Sequence, residues 1–196
     1  MKTTRSYTMT ARAEATERTR VRILEAAIDL ATTRLLADVS LDDIAAEAGV
    51  SVQTVLRRFG SRAGLIEAAT LHGSQQVGEE RLTPVGDVAA AIDVVVDHYE
   101  LRGDGVVLLL AQETTDPQVR RITDNGRRLH RDWVETVFAP YLPDSHTART
   151  ELVDLLAVAT DVHTWRQLRR DRGLDRATTV RRMHRLVSAL LTSTQE

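Results

Sequence analysis

The sequence has no cysteine, and its 196 residues include only two phenylalanines, three tyrosines and two tryptophans. The absence of cysteine excludes disulfide bonds, thiolate zinc sites and cysteine nucleophiles. The longest apolar runs are far shorter than the roughly 18 residues that a membrane-spanning helix needs. The N-terminus is polar and lacks the apolar block of a secretory signal. We therefore expect a globular protein of the cytoplasm.

Neither sign of charge dominates the whole chain, because the formal net charge is only −2. The local distribution is uneven, however. Residues 1–22 carry six cations and two acids, residues 23–50 carry six acids and one arginine, and residues 51–62 carry three arginines and no acid. A polyanion responds to the local potential within a Debye length of about 10 Å, so the last segment is compatible with a nucleic-acid partner.

Signals for β-strands are also missing, since no segment alternates apolar and polar residues for long and no Asn-Gly or Asp-Gly turn joins β-branched runs. Apolar residues recur instead at the helical period of about 3.6 residues. We predict an all-α protein, with helices over residues 16–35, 41–48, 51–60, 62–82, 87–102, 116–141, 146–170 and 176–191. Gly103 and Gly105 are expected to end the fifth of these helices.

The segment from Ser40 to Arg62, SLDDIAAEAGVSVQTVLRRFGSR, has the plan of a helix-turn-helix. Ser40 is placed to cap the first short helix, Ala45 is small where two helices must approach, and Gly49 occupies the turn. Five apolar residues have the spacing to pack together against the preceding helix: Ile44, Ala48, Val50, Val55 and Phe59. Seven residues are then expected to point outward: Ser51, Val52, Gln53, Thr54, Leu56, Arg57 and Arg58.

In helix-turn-helix proteins the second helix enters the major groove of DNA. Gln53 and Arg57 have side chains suited to the edges of adenine and guanine. The methyl groups of Val52 and Thr54 suit contacts with thymine. Phosphate contacts, which fix the register of the protein on the duplex, are expected from Arg58, Arg62, Arg20 and Arg22.

The motifs I-L-x-A-A, S-L-x-x-I-A-x-x-A-G-V-S and F-x-S-R-x-x-L follow one another within residues 20–70. This region resembles the N-terminal DNA-binding domain of the TetR family of bacterial transcriptional repressors. The resemblance implies a three-helix DNA-binding head and a helical body that binds a small molecule. It implies a homodimer that leaves a pseudo-palindromic operator when this ligand binds, and contacts from Ser40 and Thr54 to phosphates or bases.

The sequence departs from the family pattern at two places. Leu56 stands where the family usually has a tyrosine whose hydroxyl contacts a phosphate, and Leu35-Leu36 replaces a glycine-aromatic pair. The C-terminal helices, about residues 147–170 and 176–191, are similar to those that join two subunits of the family as a four-helix bundle. Apolar residues with the spacing for such a seam are Leu152, Leu155, Leu156, Val158, Ala159, Val162, Met183, Leu186, Ala189 and Leu190.

On this basis the chain divides into a flexible N-terminal arm (residues 1–15), a helix-turn-helix DNA-binding domain (16–62) and a helical effector-binding and dimerisation domain (63–196). Candidate effector-binding residues are rings and one acid on helices expected to wall a cavity: His98, Tyr99, Glu113, His130, Trp133, His163 and Trp165. Alternatively, the tryptophans are core or interface residues and the histidines lie on the surface. No metal or cofactor is expected, because the patterns Glu-x-x-His and His-Glu-x-x-His are absent.

Two other functions remain open at this point. The substitution at Leu56 keeps open a helical small-molecule-binding or interaction protein that has lost DNA binding. A helical enzyme is the other alternative, although the sequence has no glycine-rich phosphate loop and no G-x-S-x-G elbow. We therefore expect no catalytic residues.

Overall fold

The computed structural model describes the backbone of residues 3–193 and the side chains of residues 14–192. Every regular element in that range is helical, which confirms the predicted all-α class. The α-helices are α1 (Thr3–Thr33), α2 (Leu41–Glu47), α3 (Val52–Phe59), α4 (Arg62–Glu80), α5 (Val88–Leu110), α6 (Pro117–Val137), α7 (His146–Ala159), α8 (Val162–Arg166) and α9 (Arg176–Ser193). A 3-10 turn follows α1 (Leu36–Asp38) and another follows α6 (Ala139–Tyr141), and a π-helical segment, Gln167–Asp171, continues α8. None of the described helices is long and apolar enough to cross a membrane.

Capping side chains start several helices where the sequence predicts them. Ser40, Asp87 and Asp116 each accept a backbone N–H in the first turn of the helix that follows, which is α2, α5 and α6 respectively. α1 differs from the prediction, because it begins at Thr3 rather than at residue 16. A flexible arm is predicted for residues 1–15. Its first two residues and most of its side chains lie outside the described part, so the flexibility of the arm stays a prediction.

The chain divides into two compact units, of which the first ends at Gly73. Its interior is an apolar cluster to which α1 contributes Ile23, Leu24 and Ala27. Buried residues from the following elements complete the cluster: Val39, Ile44, Ala45, Ala48, Val55, Leu65 and Ala69. The inner face predicted for the helix-turn-helix is confirmed, since all five of its residues belong to this cluster or pack against it.

The second unit begins at Ser74 and is built around α5. α5 packs against α6, α8 and α9, and α7 packs against α6 and α9. Apolar side chains of these helices form the interior, and Trp165 of α8 is the largest fully buried side chain. Outside the core, carboxylates of α5 pair with arginines that follow α8: Glu100 with Arg169, and Asp104 with Arg170.

The prediction that Gly103 and Gly105 end a helix is wrong, because α5 continues to Leu110. A β-carbon at Gly103 would lie only 2.7 Å from Cη2 and 2.9 Å from Cε3 of Trp165. The glycine therefore lets the indole lie directly against the helix backbone. This packing outweighs the roughly 1 kcal/mol by which glycine is less favourable than alanine inside a helix.

The single helix predicted over residues 146–170 is also interrupted. α7 ends at Ala159, and Thr160 and Asp161 separate it from α8. The Asp161 carboxylate accepts the backbone N–H of His163 at 2.8 Å and so caps the start of α8. An aspartate in an otherwise helical pattern thus marks the break, as expected from the preference of this residue for N-caps.

Candidate functional site

The start of α2 is fixed by a capping box between Ser40 and Asp43. Ser40 Oγ accepts the backbone N–H of Asp43 at 3.1 Å, and the Asp43 carboxylate accepts the Ser40 backbone N–H at 2.9 Å. The Ser40 hydroxyl also donates to this carboxylate. This side-chain hydrogen bond is the largest cause of a lowered pKa of Asp43, and the hydrogen bond from the Ser40 backbone is the second. Ser40 is therefore exposed but engaged in the cap, which fixes where α2 begins.

The turn between α2 and α3 depends on Gly49, whose φ of 63° lies in the left-handed region. A residue with a β-carbon would be strained there. The backbone N–H of Val50 donates to the carbonyl of Ala45 at 2.9 Å and closes the turn. Ser51 then caps α3, because its Oγ accepts the N–H of Thr54 at 3.3 Å and lies 3.0 Å from the Thr54 hydroxyl.

α3 has a buried side and an exposed side. Val55 is fully buried in the apolar cluster of the first unit. The exposed residues of the segment are Ser51, Gln53, Leu56 and Arg57, and the half-buried ones are Val52, Thr54 and Arg58. Val52 packs in part against the cluster, so its side chain is less available than the sequence predicts.

The arginines of α3 are not neutralised by neighbouring acids. Within the described chain, no carboxylate lies at ion-pair distance from Arg57 or Arg58, and the Nε of Arg58 is buried without a hydrogen-bond partner. In α1, Arg22 is exposed, whereas Arg20 is half-buried and pairs with Glu17 at 3.0 Å. Among the described residues, α3 therefore presents two arginines that no acid neutralises.

Arg62 has a different environment from the one that its sequence position suggests. The residue is half-buried, and its Nε donates to the carbonyl of Val39 at 3.0 Å. Its Nη2 donates to the carbonyl of Leu36. These bonds hold the start of α4 against the 3-10 turn after α1. The guanidinium of Arg62 is thus engaged by the chain itself, which makes it a weaker candidate for a phosphate contact than its sequence position suggests.

In the second unit, four of the candidate effector residues surround an arginine that the sequence analysis did not single out. Arg81 is only 7% exposed, and its guanidinium carbon lies 5.2 Å from the ring centre of Tyr99 and 5.7 Å from that of Trp133. The ring of His98 lies 5.4 Å from that of Tyr99, and the ring of His130 stacks on Trp133 at 5.7 Å. We call these five residues the Arg81 cluster.

Burial and the charge of Arg81 keep both histidines of the cluster neutral, and hydrogen bonds fix their tautomers. Arg81 Nη1 donates to His130 Nδ1 at 3.0 Å, so the ring proton is on Nε2, which donates to the carbonyl of Ala157 at 3.2 Å. His98 Nδ1 donates to the Glu80 carboxylate at 2.8 Å. Burial, and then the charge of Arg81, lower the pKa of each histidine to about 4. The contact of His98 with Glu80 is therefore a hydrogen bond from a neutral ring rather than an ion pair.

Trp165 adjoins the Arg81 cluster without touching the arginine at its centre. Its ring centre is 5.8 Å from that of Tyr99, and its Nε1 donates to the Glu100 carboxylate at 2.9 Å. The guanidinium of Arg170 lies over the indole of Trp165, 4.6 Å from the ring centre. Trp165 is thus a core residue, as one of the two interpretations of the sequence predicts.

The last two candidates have no contact with the cluster among the residues that the structure describes. Glu113 accepts hydrogen bonds from Arg127 at 2.7 Å and from Thr123 at 2.6 Å, and these bonds lower its pKa. His163 is exposed. In the described part of the chain, no group of histidine, aspartate and glutamate residues is arranged to hold a metal ion.

The burial of Arg81 has no recognisable signal in the sequence. The residue follows α4 directly, where an exposed arginine near the helix end is the ordinary expectation. Its partners Tyr99 and His130 come from α5 and α6, much later in the chain. The available signal was the occurrence of histidines beside aromatic residues, and these residues do form the walls of the cluster.

Comparisons with known proteins bear most directly on the first unit. The family model described as "Bacterial regulatory proteins, tetR family" matches residues 23–69, which include α2 and α3. The HTH-type transcriptional regulator AlkX of Mycobacterium tuberculosis (strain ATCC 25618 / H37Rv) is 34% identical over 98 residues. That alignment covers 50% of this chain and 43% of AlkX, so the chain matches less than half of this curated relative.

Solved structures resemble the chain over most of its length. Salmonella enterica GusR, 19% identical, has a TM-score of 0.68, with 89% of this chain and 95% of GusR covered. A tetR-family transcriptional regulator from Streptomyces coelicolor, 18% identical, also has a TM-score of 0.68, with 91% and 89% covered. SCO7518 from Streptomyces coelicolor A3(2) is 27% identical, with a TM-score of 0.53 and 87% and 99% covered. The similarity of fold therefore extends into the second unit, which the family model does not reach.

Proposed function

We propose that the chain is a member of the TetR family of bacterial regulatory proteins, and that it is a DNA-binding transcriptional repressor that acts as a homodimer and is released by a small molecule. DNA binding is assigned to residues 16–62, and effector binding and dimerisation to residues 63–196. A regulator of this kind would act in the bacterial cytoplasm, where the DNA is. No catalytic step is part of the proposal.

α3 would enter the major groove of a pseudo-palindromic operator. Gln53 and Arg57, both exposed, would contact base edges, and Thr54 would contact a base or phosphate near the start of the helix. The phosphate contacts are assigned to Arg58 and Arg22, with smaller contributions from the engaged side chains of Ser40, Ser51, Arg62 and Arg20. Because Leu56 has no hydroxyl, its contact with the duplex would be apolar.

The observation that supports this proposal most is the absence of ion pairs on α3. A guanidinium with a purely structural role is ordinarily paired with a carboxylate or a carbonyl, as Arg62 is with Val39 and Leu36. Arg57 is exposed, and in the part of the chain that the structure describes it has no such partner. A cationic, acid-free helix of this kind is suited to a polyanion.

The test is fluorescence anisotropy with a labelled duplex taken from the region upstream of the gene that encodes this chain. The double variant Arg57→Ala/Arg58→Ala should bind at least tenfold more weakly, because a good bidentate base contact is worth about 1–3 kcal/mol. The loss of one phosphate contact should also reduce the slope of log K against log salt by about 0.9. Circular dichroism checks that the variant is folded.

Arg121→Ala is the matched control, since it removes an exposed arginine of α6 from the second unit. It should leave both the affinity and the salt slope unchanged. If the double variant binds as tightly as the unchanged protein and with the same slope, α3 is not the DNA-binding surface. If the unchanged protein does not bind the duplex either, the chain is a family member that has lost DNA binding.

The homodimer is supported by an apolar strip on α7 and α9, within the ranges of about 147–170 and 176–191 predicted for the interface. Leu155, Val158 and Leu186 are 45%, 67% and 47% exposed. Leu190 is half-buried against the core of the chain itself, in which four other large apolar residues predicted for the seam are buried: Leu152, Leu156, Val162 and Met183. The proposed interface, which we call the α7–α9 strip, is thus narrower than the sequence suggests. A second copy would remove it from water.

The Arg81 cluster is the proposed effector site. It combines aromatic rings with a few polar groups, the residue types that are typical of small-molecule sites. α4 would connect effector binding to DNA binding, because residues of this one helix contact both regions. Leu65 lies in the interior of the first unit, and Glu80, at the end of α4, contacts His98 of the cluster. A ligand that favours a different position of the end of α4 would shift the population of binding-competent heads.

A further inference from the structure

The chemical class of the effector can be inferred from the charge at the centre of the Arg81 cluster. Arg81 is more than nine-tenths buried, yet among the described residues no carboxylate lies within ion-pair distance of its guanidinium. The neighbouring carboxylate, that of Glu80, is bound instead by Arg102 through Nε at 2.9 Å and by His98. The guanidinium of Arg81 is therefore buried without a direct ion-pair partner, which is an unfavourable arrangement unless something compensates it.

The hydrogen-bonding capacity of this guanidinium is also incompletely used. Nη1 donates to His130, whereas Nε is buried and has no partner in the described structure. Two residues further along the chain, Thr83 Oγ1 is likewise buried without a partner. Buried polar groups are nearly always hydrogen-bonded in folded proteins, so unpaired donors of this kind point to a group that is not part of the chain.

The rest of the cluster does not offset the charge. Both histidines are neutral, because burial and then the Arg81 charge hold the pKa of each at about 4. Burial raises the pKa of Tyr99 to about 12, and its hydroxyl donates to the carbonyl of Thr160 at 3.1 Å, so this residue is neutral as well. The faces of Tyr99 and Trp133 attract a cation only weakly compared with a carboxylate. Arg81 is thus the one charged member of the cluster, and Asp161, an acid that acts on the rings of the cluster, is not at ion-pair distance from it.

The surroundings of this charge are apolar. Tyr99 belongs to the main core of the second unit, and Trp133 packs against that core. Next to Tyr99 lies Trp165, which is fully buried. A ligand that reached the guanidinium would therefore have its remaining atoms among aromatic and aliphatic side chains.

We propose that Arg81 is an anion-binding residue and that the effector is a small organic carboxylate with an apolar body. The carboxylate would accept hydrogen bonds from Nε and a terminal N–H of Arg81, the bidentate geometry that arginine favours. The apolar body would lie against Tyr99 and Trp133. The word effector rests on the function proposed above, whereas the anion site itself does not.

The test uses the full-length protein without DNA and a series of straight-chain carboxylates from butanoate to decanoate. Each is compared with the primary amide of the same chain, which keeps the apolar body and removes the charge. Isothermal titration calorimetry should show at least one carboxylate that binds tenfold or more tightly than its amide, a difference of about 1.4 kcal/mol. This comparison needs no variant, so it does not depend on how a substitution at Arg81 affects folding.

The variant Arg81→Met then tests whether the preference for carboxylates depends on the charge of Arg81. This variant should lose the preference for the carboxylate, whereas Arg127→Met, which removes a half-exposed arginine of α6, should keep it. If the variant does not fold, a second measurement uses the unchanged protein. A carboxylate bound at the cluster should quench tryptophan fluorescence, because Trp133 belongs to the cluster.

Three results would overturn the proposal: no binding by any carboxylate at millimolar concentration, equal binding of carboxylates and amides, or an unchanged preference in Arg81→Met. A carboxylate that binds through Arg81 but leaves the affinity for DNA unchanged would retain the anion site and refute its role in regulation. Failure of DNA binding alone would affect the proposed function and not the anion site.

Discussion

Replacing Gly103 with alanine tests the contact that keeps α5 continuous. The added β-carbon would lie 2.7 Å from Cη2 and 2.9 Å from Cε3 of Trp165. The indole cannot move away freely, because it is fully buried and its Nε1 donates to Glu100. Overpacking of this kind costs about 3 kcal/mol at the upper end of its usual range. Since alanine is better than glycine in a helix by about 1 kcal/mol, the free energy of unfolding should fall by about 2 kcal/mol.

Gly126 offers a matched control, because it lies in α6, is exposed, and a β-carbon there would meet nothing within 4 Å. Gly126→Ala should therefore raise the free energy of unfolding by up to about 1 kcal/mol. Urea unfolding followed by circular dichroism gives both values, and tryptophan fluorescence reports on the second unit alone, since both tryptophans lie in it. Equal stabilisation by the two substitutions would refute the argument that Gly103 is required by Trp165.

The α7–α9 strip predicts that Val158→Asp separates the homodimer into monomers in sedimentation-velocity experiments, whereas Leu101→Asp, at an exposed leucine of α5, leaves it intact. A dimer that survives both changes would contradict this interface. The buried histidines predict that acid destabilises the protein. The pKa values of His98 and His130 are 6.5 in the unfolded chain and about 4 in the folded one, so between these pH values the unfolded chain binds more protons. The free energy of unfolding should decrease as the pH falls from 6.5 to 4, by about 3 kcal/mol for each histidine. Urea titrations at several pH values should show a smaller decrease for His98→Asn, and an identical decrease would contradict the assignment.

The parts of the fold that the sequence predicts are those set by neighbours along the chain. The cap at Ser40 depends on a residue three positions away, and the inner face of the helix-turn-helix depends on helical spacing. The same local rules identified α3 as a cationic, acid-free helix. Such features are readable because the partner residues are close in sequence.

The parts that the sequence does not predict are set by contacts between distant segments. Gly103 has the composition of a helix end, and only the indole of Trp165, more than sixty positions later, explains why α5 continues. From its sequence position Arg62 is expected to be a surface cation, whereas in the structure it donates to the carbonyls of Leu36 and Val39. For Arg81, likewise, burial follows from residues of α5 and α6. A single sequence does not contain these pairings explicitly, so the centre of the candidate effector site could not be identified from it.

The boundary between Gly73 and Ser74 falls inside α4 rather than in a loop. Leu65 and Ala69 of this helix are interior residues of the first unit, so a fragment that stopped at residue 62 would open that interior to water. A protease or a gene truncation that is to yield an intact head must therefore act beyond the second turn of α4.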